Sequence, residues 1–197
     1  NVCFVAQRYS EMGVEKGGDV FAKIANRFKD SSELKFHFVG DWSASIFDLD
    51  FGENAIFHGV QKSNFFEDFY SQMDIIISPN VSSYEISGCK GSFDGFPTTA
   101  CVEAGLAGVA MFLSDSLNQN ISESGSLIFK PSIDFELITR DIDQICTLLQ
   151  YYVIDRDALH CLAKNGQTVL HHIFSFDTQM KPRINLLKTE LAACPSS

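Results

Sequence analysis

Residues 74–78, Asp-Ile-Ile-Ile-Ser, form an apolar run without polar alternation, halted by Pro79. A strand with one face in water alternates between apolar and polar side chains. A short run that does not alternate belongs to a strand covered on both faces. Residues 2–6, 55–58 and 109–113 are further short apolar runs, residues 35–39 are strand-like, and residues 126–129, closed by Pro131, give a sixth strand. Helical spacing fills the intervals. Val20, Phe21, Ile24, Ala25 and Phe28 share one helical face, residues 65–70 follow the same period, and residues 99–107 suit another helix. Strands covered on both faces and separated by helices predict an α/β fold: a doubly wound, Rossmann-like parallel sheet of six strands with helices on both faces.

The last third of the chain has a different pattern. Phe135, Ile138, Ile142, Ile145, Leu149 and Tyr152 trace one stripe, and residues 157–173 and 178–191 carry two more helical patterns. The expected domain is a single unit over residues 1–197, with a helical C-terminal third. The chain opens directly on a core strand, so it is expected to be part of something larger.

Composition excludes several classes of function. With Lys+Arg 15 against Asp+Glu 25, the formal charge is −10. Such a field disfavours a nucleic-acid backbone or an anionic bilayer as the main partner. It leaves room for a small phosphate-bearing ligand, which a few placed cations and helix N-termini can hold. No apolar window is long enough to span a membrane. The six cysteines have neither CxxC nor Cys/His ligand spacing, and several sit in apolar runs where a free thiol acts as a small hydrophobe. A reducing, cytoplasmic setting follows. His171 and His172 are adjacent, so on a helix they diverge and cannot chelate together. The expectation is no metal and no cofactor.

In sheets of this kind ligands bind at the carboxyl ends of the strands. After the first strand comes Gln7-Arg8-Tyr9-Ser10-Glu11-Met12-Gly13-Val14-Glu15-Lys16-Gly17-Gly18. Arg8 offers a planar fork of donors and Lys16 a point charge, a pair suited to a diphosphate. Gly17 and Gly18 are expected to admit a ligand close to the backbone. Neither GxxxxGK[ST] nor GxGxxG is present. The second candidate stretch runs from Phe93 through Asp94, Gly95, Phe96, Pro97, Thr98 and Thr99 to Glu103, Ala104 and Gly105. Asp94-Gly95 is a turn, Pro97 suits a first helical turn, and Thr98 or Thr99 can cap a helix whose N-terminus attracts an anion. Glu103, one turn inside an apolar helix, is expected to need a partner such as a ribose diol.

These loops together resemble family 4 of the retaining glycosyltransferases, specifically the C-terminal half of its GT-B fold. The parts arrive in family order: Arg8 with Lys16-Gly17, Phe38-Val39-Gly40-Asp41, Ile56-Phe57-His58-Gly59, Asp74 through Pro79, Gly95-Phe96-Pro97 through Glu103-Ala104, and Gly125 through Phe129, with Phe174-Ser175-Phe176-Asp177 closing. The resemblance implies that Arg8 and Lys16 bind the donor diphosphate and stabilise the leaving group. It implies that Glu103 holds the ribose, that Thr98 and Thr99 present N–H groups to a phosphate, and that Gly59-Val60 border the base. Gly40 lies among the expected substrate-binding positions, as does His58, for which a structural role is the simpler reading.

Two departures stand out. The family's first acid falls where this chain has Gly95; Asp94 is one residue earlier, and Glu85, in the insertion 80–92, is the other candidate. The separation of Arg8 from Lys16 also exceeds the family's usual one. The implied activity is sugar transfer from a nucleoside-diphosphate sugar to a glycan or lipid-linked acceptor, without a metal. An N-terminal acceptor domain supplies the other half of the site, and the full-length enzyme is cytoplasmic, reaching the inner membrane face only peripherally. The alternatives are a degenerate, non-catalytic nucleotide-sugar-binding domain and a sugar-nucleotide epimerase of the same fold. A receiver-type regulatory domain is disfavoured, because the first strand ends in Gln7-Arg8 rather than an acidic cluster.

Overall fold

The computed structural model describes residues 1–81 and 94–193. Its strands are β1 (Val2–Val5), β2 (Phe36–Val39), β3 (Ala55–Phe57), β4 (Ile75–Ser78), β5 (Ala110–Leu113) and β6 (Glu136–Leu137). The helices are α1 (Gly18–Arg27), α2 (Ser63–Tyr70), α3 (Thr99–Leu106), α4 (Ile142–Ile154), α5 (Arg156–Ile173) and α6 (Phe176–Ala193). The six strands form one sheet in the order β3-β2-β1-β4-β5-β6, and every pairing is parallel. The fold is the doubly wound α/β sheet expected from the apolar runs.

Alternation along each strand divides the interior into two cores. Val2 and Phe4 of β1, Phe36 and Phe38 of β2, and Ile75 and Ile77 of β4 face α1 and α4. Cys3, Val39, Ile76, Met111 and Leu113 face α2 and α3 on the opposite side. The first core is aromatic: Phe38 packs on Phe4, Phe21, Phe47, Phe51 and Phe57. Cys3, Cys101 and Cys146 are buried free thiols that pack as small apolar groups, while Cys161 is exposed. Asp141 caps α4 through the N–H groups of Asp143 and Gln144, and Asp155 caps α5 through that of Ala158. Among the described residues no helix is long and apolar enough to cross a membrane.

Two expectations need correction. The sixth strand is Glu136–Leu137, not residues 126–129. Residues 126–129 fold as a loop because the buried Asn120 side chain takes the place of a neighbouring strand. Its amide donates to the Phe129 carbonyl at 2.7 Å, and its oxygen accepts the Phe129 N–H at 2.8 Å. Only an isolated antiparallel bridge, Ile121 to Leu127, remains there. The C-terminal stripe also begins too early: Phe135 and Ile138 flank β6, and the helix starts at Ile142.

Candidate functional site

Strand order reverses between β1 and β4, so the crevice at their carboxyl ends is the switch point where ligands bind in such sheets. The loop after β1 carries Arg8 and Lys16; that after β4 leads to Asp94. The structure brings Lys16 and Asp94 together across 78 residues of sequence, with Lys16 Nζ 2.5 Å from both carboxylate oxygens. Lys16 is nearly enclosed. Asn80, just past β4, donates to Asp94 Oδ2 at 2.7 Å and accepts from the Ser78 hydroxyl at 2.9 Å. Ser114, after β5, donates to the Asn80 carbonyl. The carboxyl ends of β4 and β5 thus hold Asp94 in place, and Asp94 holds Lys16. Asp94, Thr98, Asn80 and Ser114 bound a small pocket of about 30 Å³, and a larger one of about 390 Å³ adjoins it along Asn80, Ser114 and Arg140.

Arg8 is also occupied. Its guanidinium donates to the Asp41 carbonyl at 3.0 Å, the Asp41 carboxylate at 2.9 Å and the Glu11 carbonyl at 3.1 Å. It stands over the carboxyl end of β2, and its hydrogen-bond partners are separate from those of Lys16. The glycines of the first loop are packed against the protein. Gly17 has φ +82°, and a Cβ there would meet the ring and the carbonyl of Pro79, while one on Gly18 would meet Trp42. The close approach visible at Gly17 is that of the chain itself. Gly40, at φ +130°, is likewise packed against the Ala6 carbonyl and Trp42.

Helix α3 begins as the threonines predicted, and Thr98 is the cap. Its Oγ1 accepts the Cys101 N–H at 3.4 Å and donates to Cys101 Sγ at 3.1 Å; Thr99 is the first helical residue and is exposed. Pro97 therefore precedes the cap instead of occupying the first turn. Phe96 is half-buried against Phe129 and Phe135, and Gly95 is exposed with open space around it. Burial raises the Cys101 thiol to about 11, so it stays protonated beneath the site.

Glu103 lies apart from Asp94. It is exposed and lines a separate groove of about 560 Å³ with Ser63, Phe66, Glu67 and Tyr70 of α2. The premise that burial in an apolar helix forces a partner on Glu103 does not hold, because solvent reaches it. His58 turns inward: its Nε2 is 3.0 Å from His37 Nδ1 and the rings stack at 5.3 Å. Burial, with His58 beside it, lowers His37 to about 4, and burial lowers His58 as well, so both are neutral at pH 7. Gly59 accepts the Gly40 N–H through its carbonyl, and Val60 is exposed. Glu85 and Phe93 lie outside the described residues.

Several organising residues escape the sequence reading. Glu15, only 3% exposed, accepts the backbone N–H groups of Tyr9 (3.2 Å) and Ser10 (3.1 Å) and the Ser10 hydroxyl. Burial alone would raise this carboxyl; those hydrogen bonds outweigh it and hold the group below the usual carboxylate range. Arg140, after β6, grips both Asp19 oxygens at 2.7 Å and the Val14 carbonyl at 2.9 Å, fixing the start of α1. Tyr9 is in sequence only a loop residue; in the structure its ring lies over Lys16 Nζ, 5.0 Å from the ring centre. The only sequence signal for Glu15 is an acid beside the lysine with a serine five residues upstream; for Arg140 there is none. Among the described residues, no group of three or more His, Cys, Asp or Glu is arranged to hold a metal ion.

No protein-family model matches the chain, and no curated protein matches it in sequence. Solved structures do match. The C-terminal domain of a glycosyl transferase group 1 family protein (LpcC) from Francisella tularensis superposes with a TM-score of 0.64 at 17% identity, over 87% of this chain and 84% of that one. The fold is that of a GT-B glycosyltransferase C-terminal domain. Anabaena Alr3699/HepE in complex with UDP-glucose matches with a TM-score of 0.68 at 13% identity, over 95% of this chain and 48% of that one. A mutant of S. aureus TarM, in complex with Fondaparinux, alpha-GlcNAc-glycerol and UDP, gives 0.71 at 14%, over 94% and 34%. At these identities the likeness to GT-B domains is one of fold. The chain spans most of the isolated domain but half or less of HepE and TarM.

Proposed function

We propose that this chain is the donor-nucleotide-binding half of a retaining glycosyltransferase of family 4. In this reading it acts with an N-terminal acceptor domain on a nucleoside-diphosphate sugar, passing the sugar to a glycan or lipid-linked acceptor. The observation that carries it is the meeting of Lys16 and Asp94, from loops far apart in sequence, at the switch point of a GT-B sheet. Lys16 and Arg8 would take the diphosphate, exchanging their own carboxylates for phosphate oxygens and stabilising the leaving group as charge develops on it. Asp94, released from Lys16, would accept hydroxyls of the transferred sugar. Glu103 would take the ribose diol from its exposed groove, with Gly59 and Val60 bordering the base. Because cations, N–H groups and hydroxyl acceptors are all supplied by protein groups, the reading needs no metal. The exposed Leu186, Leu187 and Leu191 of α6 support a further segment that covers them.

A second reading, nucleotide-sugar binding without turnover, draws on one observation: each expected cation is already neutralised, Arg8 by Asp41 and Lys16 by Asp94. Thermal shift with UDP, GDP, ADP and their sugar conjugates, in the absence of Mg²⁺, tests the common ground of both. A ligand held only by the folded chain stabilises it by about 2.7 kcal/mol at a hundredfold excess over its Kd. A shift with one nucleoside diphosphate that Arg8→Ala removes supports a donor site. No shift with any of them at millimolar concentration contradicts it.

A further inference from the structure

We infer that Tyr9 is a sugar-reading residue of this site: its ring is a fixed platform for the pyranose of the donor. The inference rests on the donor-domain reading above and deepens it.

Tyr9 is 69% exposed, an unusual position for a tyrosine that is tied down at both ends. Its backbone N–H is spent on the buried Glu15 carboxylate, which fixes the loop. One face of its ring covers the Lys16 ammonium, and that ammonium is pinned in turn by two oxygens of Asp94. A cation held over an aromatic face is attracted by the ring's negative quadrupole, so Lys16 orients the ring as well as being covered by it. Tyr9 and Asp94 therefore contact the same charge, and Tyr9 as a whole is largely open to solvent.

The position decides what the ring could contact. Where Lys16 meets a diphosphate, a group carried on that phosphate would lie beside the ring that covers Lys16. The nucleoside end, assigned to the Glu103 groove, has no Tyr9 in its lining. A pyranose has an apolar C–H face and an edge of hydroxyls. Tyr9 offers a flat apolar surface to the first, and Asp94 an acceptor for the second. Such a ring contributes to binding of the sugar conjugate and very little to that of the nucleoside diphosphate alone.

The test measures Kd of the chain, unmodified and as Tyr9→Phe and Tyr9→Ala, for UDP against UDP-glucose, GDP against GDP-mannose, and ADP against ADP-glucose. For whichever pair binds, Tyr9→Ala is expected to weaken the sugar conjugate about fivefold relative to the bare diphosphate. Tyr9→Phe, which keeps the ring, is expected to preserve the unmodified ratio. An equal loss for both ligands in Tyr9→Ala, or an unmoved ratio, overturns the inference and leaves the donor-domain reading standing. Binding of no pair by the unmodified chain overturns both. The residue is on the surface, so an unchanged melting temperature of the ligand-free variants separates these outcomes from misfolding.

Discussion

Asp94 and Glu103 are the two acids to which the proposed function gives the sugar and the ribose, and the protein treats them in opposite ways. Asp94 is locked: Lys16 and Asn80 claim its oxygens. Glu103 is loose, an exposed carboxylate on the outer side of α3 in an open groove. A charge that is partly enclosed must have a counter-charge before any ligand arrives, and the protein supplies one. A charge at the surface needs nothing. On the proposed reading, a ligand anion at the corner of β1 and β4 would exchange for Asp94 on Lys16, while a ligand in the groove between α2 and α3 would simply add.

Lys16→Ala breaks this contrast most severely. Removing the ammonium would delete a cation proposed to hold the diphosphate, and it leaves Asp94 without its Lys16 partner. Nucleoside diphosphate affinity should fall about thirtyfold, the value of a charged hydrogen bond of about 2 kcal/mol. Stability should fall by about 1–2 kcal/mol, reduced from a fully buried pair because water reaches Asp94. Titration calorimetry and urea denaturation report the two effects separately. Unchanged affinity would remove Lys16 from the binding site.

Glu15→Ala comes next. It strands the N–H groups of Tyr9 and Ser10 and should cost about 2 kcal/mol of stability. The pH dependence has a definite sign. The folded pKa of Glu15 lies below the ordinary value of 4.5, so its contribution is complete above pH 4.5 and is lost as pH falls through the lower folded value. Denaturation midpoints measured from pH 7 to pH 3 should converge for the parent chain and Glu15→Gln at the acid end. His37 acts over a higher range. It is held neutral by burial, with a pKa near 4 against an ordinary 6.5, so its share of stability is intact above pH 6.5 and drains away as pH falls toward 4. In His37→Phe the loss of stability between those two pH values should be smaller.

What the sequence disclosed follows the same division between regular and irregular structure. β1, β4 and β5 were legible because burial on both faces leaves unbroken apolar runs, while β2, interrupted by His37, and the edge strand β3 were read from shorter apolar stretches. β6 was not. It is two residues long and contains Glu136, which is buried because Tyr152 Oη donates to it at 2.6 Å, a partnership 16 residues distant. Residues 126–129 were misread because their apolar pattern is real, while the hydrogen-bonding partner that makes them a loop is the Asn120 side chain. At the site, Arg8, Lys16, Asp94 and Thr98 could be named from residue type and position after a strand. Their pairings could not, since Lys16 with Asp94 and Arg8 with Asp41 are products of the sheet order.

Glu103→Ala is the smallest perturbation to the fold and the sharpest test of the division. An exposed helical carboxylate with no hydrogen-bond partner among the described residues contributes within about 0.5 kcal/mol, and alanine is a better helix former than glutamate, so stability should hold or rise slightly. If the ribose diol sits on Glu103, affinity for nucleoside diphosphates nonetheless falls about tenfold, while inorganic pyrophosphate, which has no ribose, binds as before. Lys16→Ala should weaken both ligands. A Glu103→Ala chain that loses pyrophosphate and nucleotide alike would mean that corner and groove act as one site, and the separation drawn between the two acids would not stand.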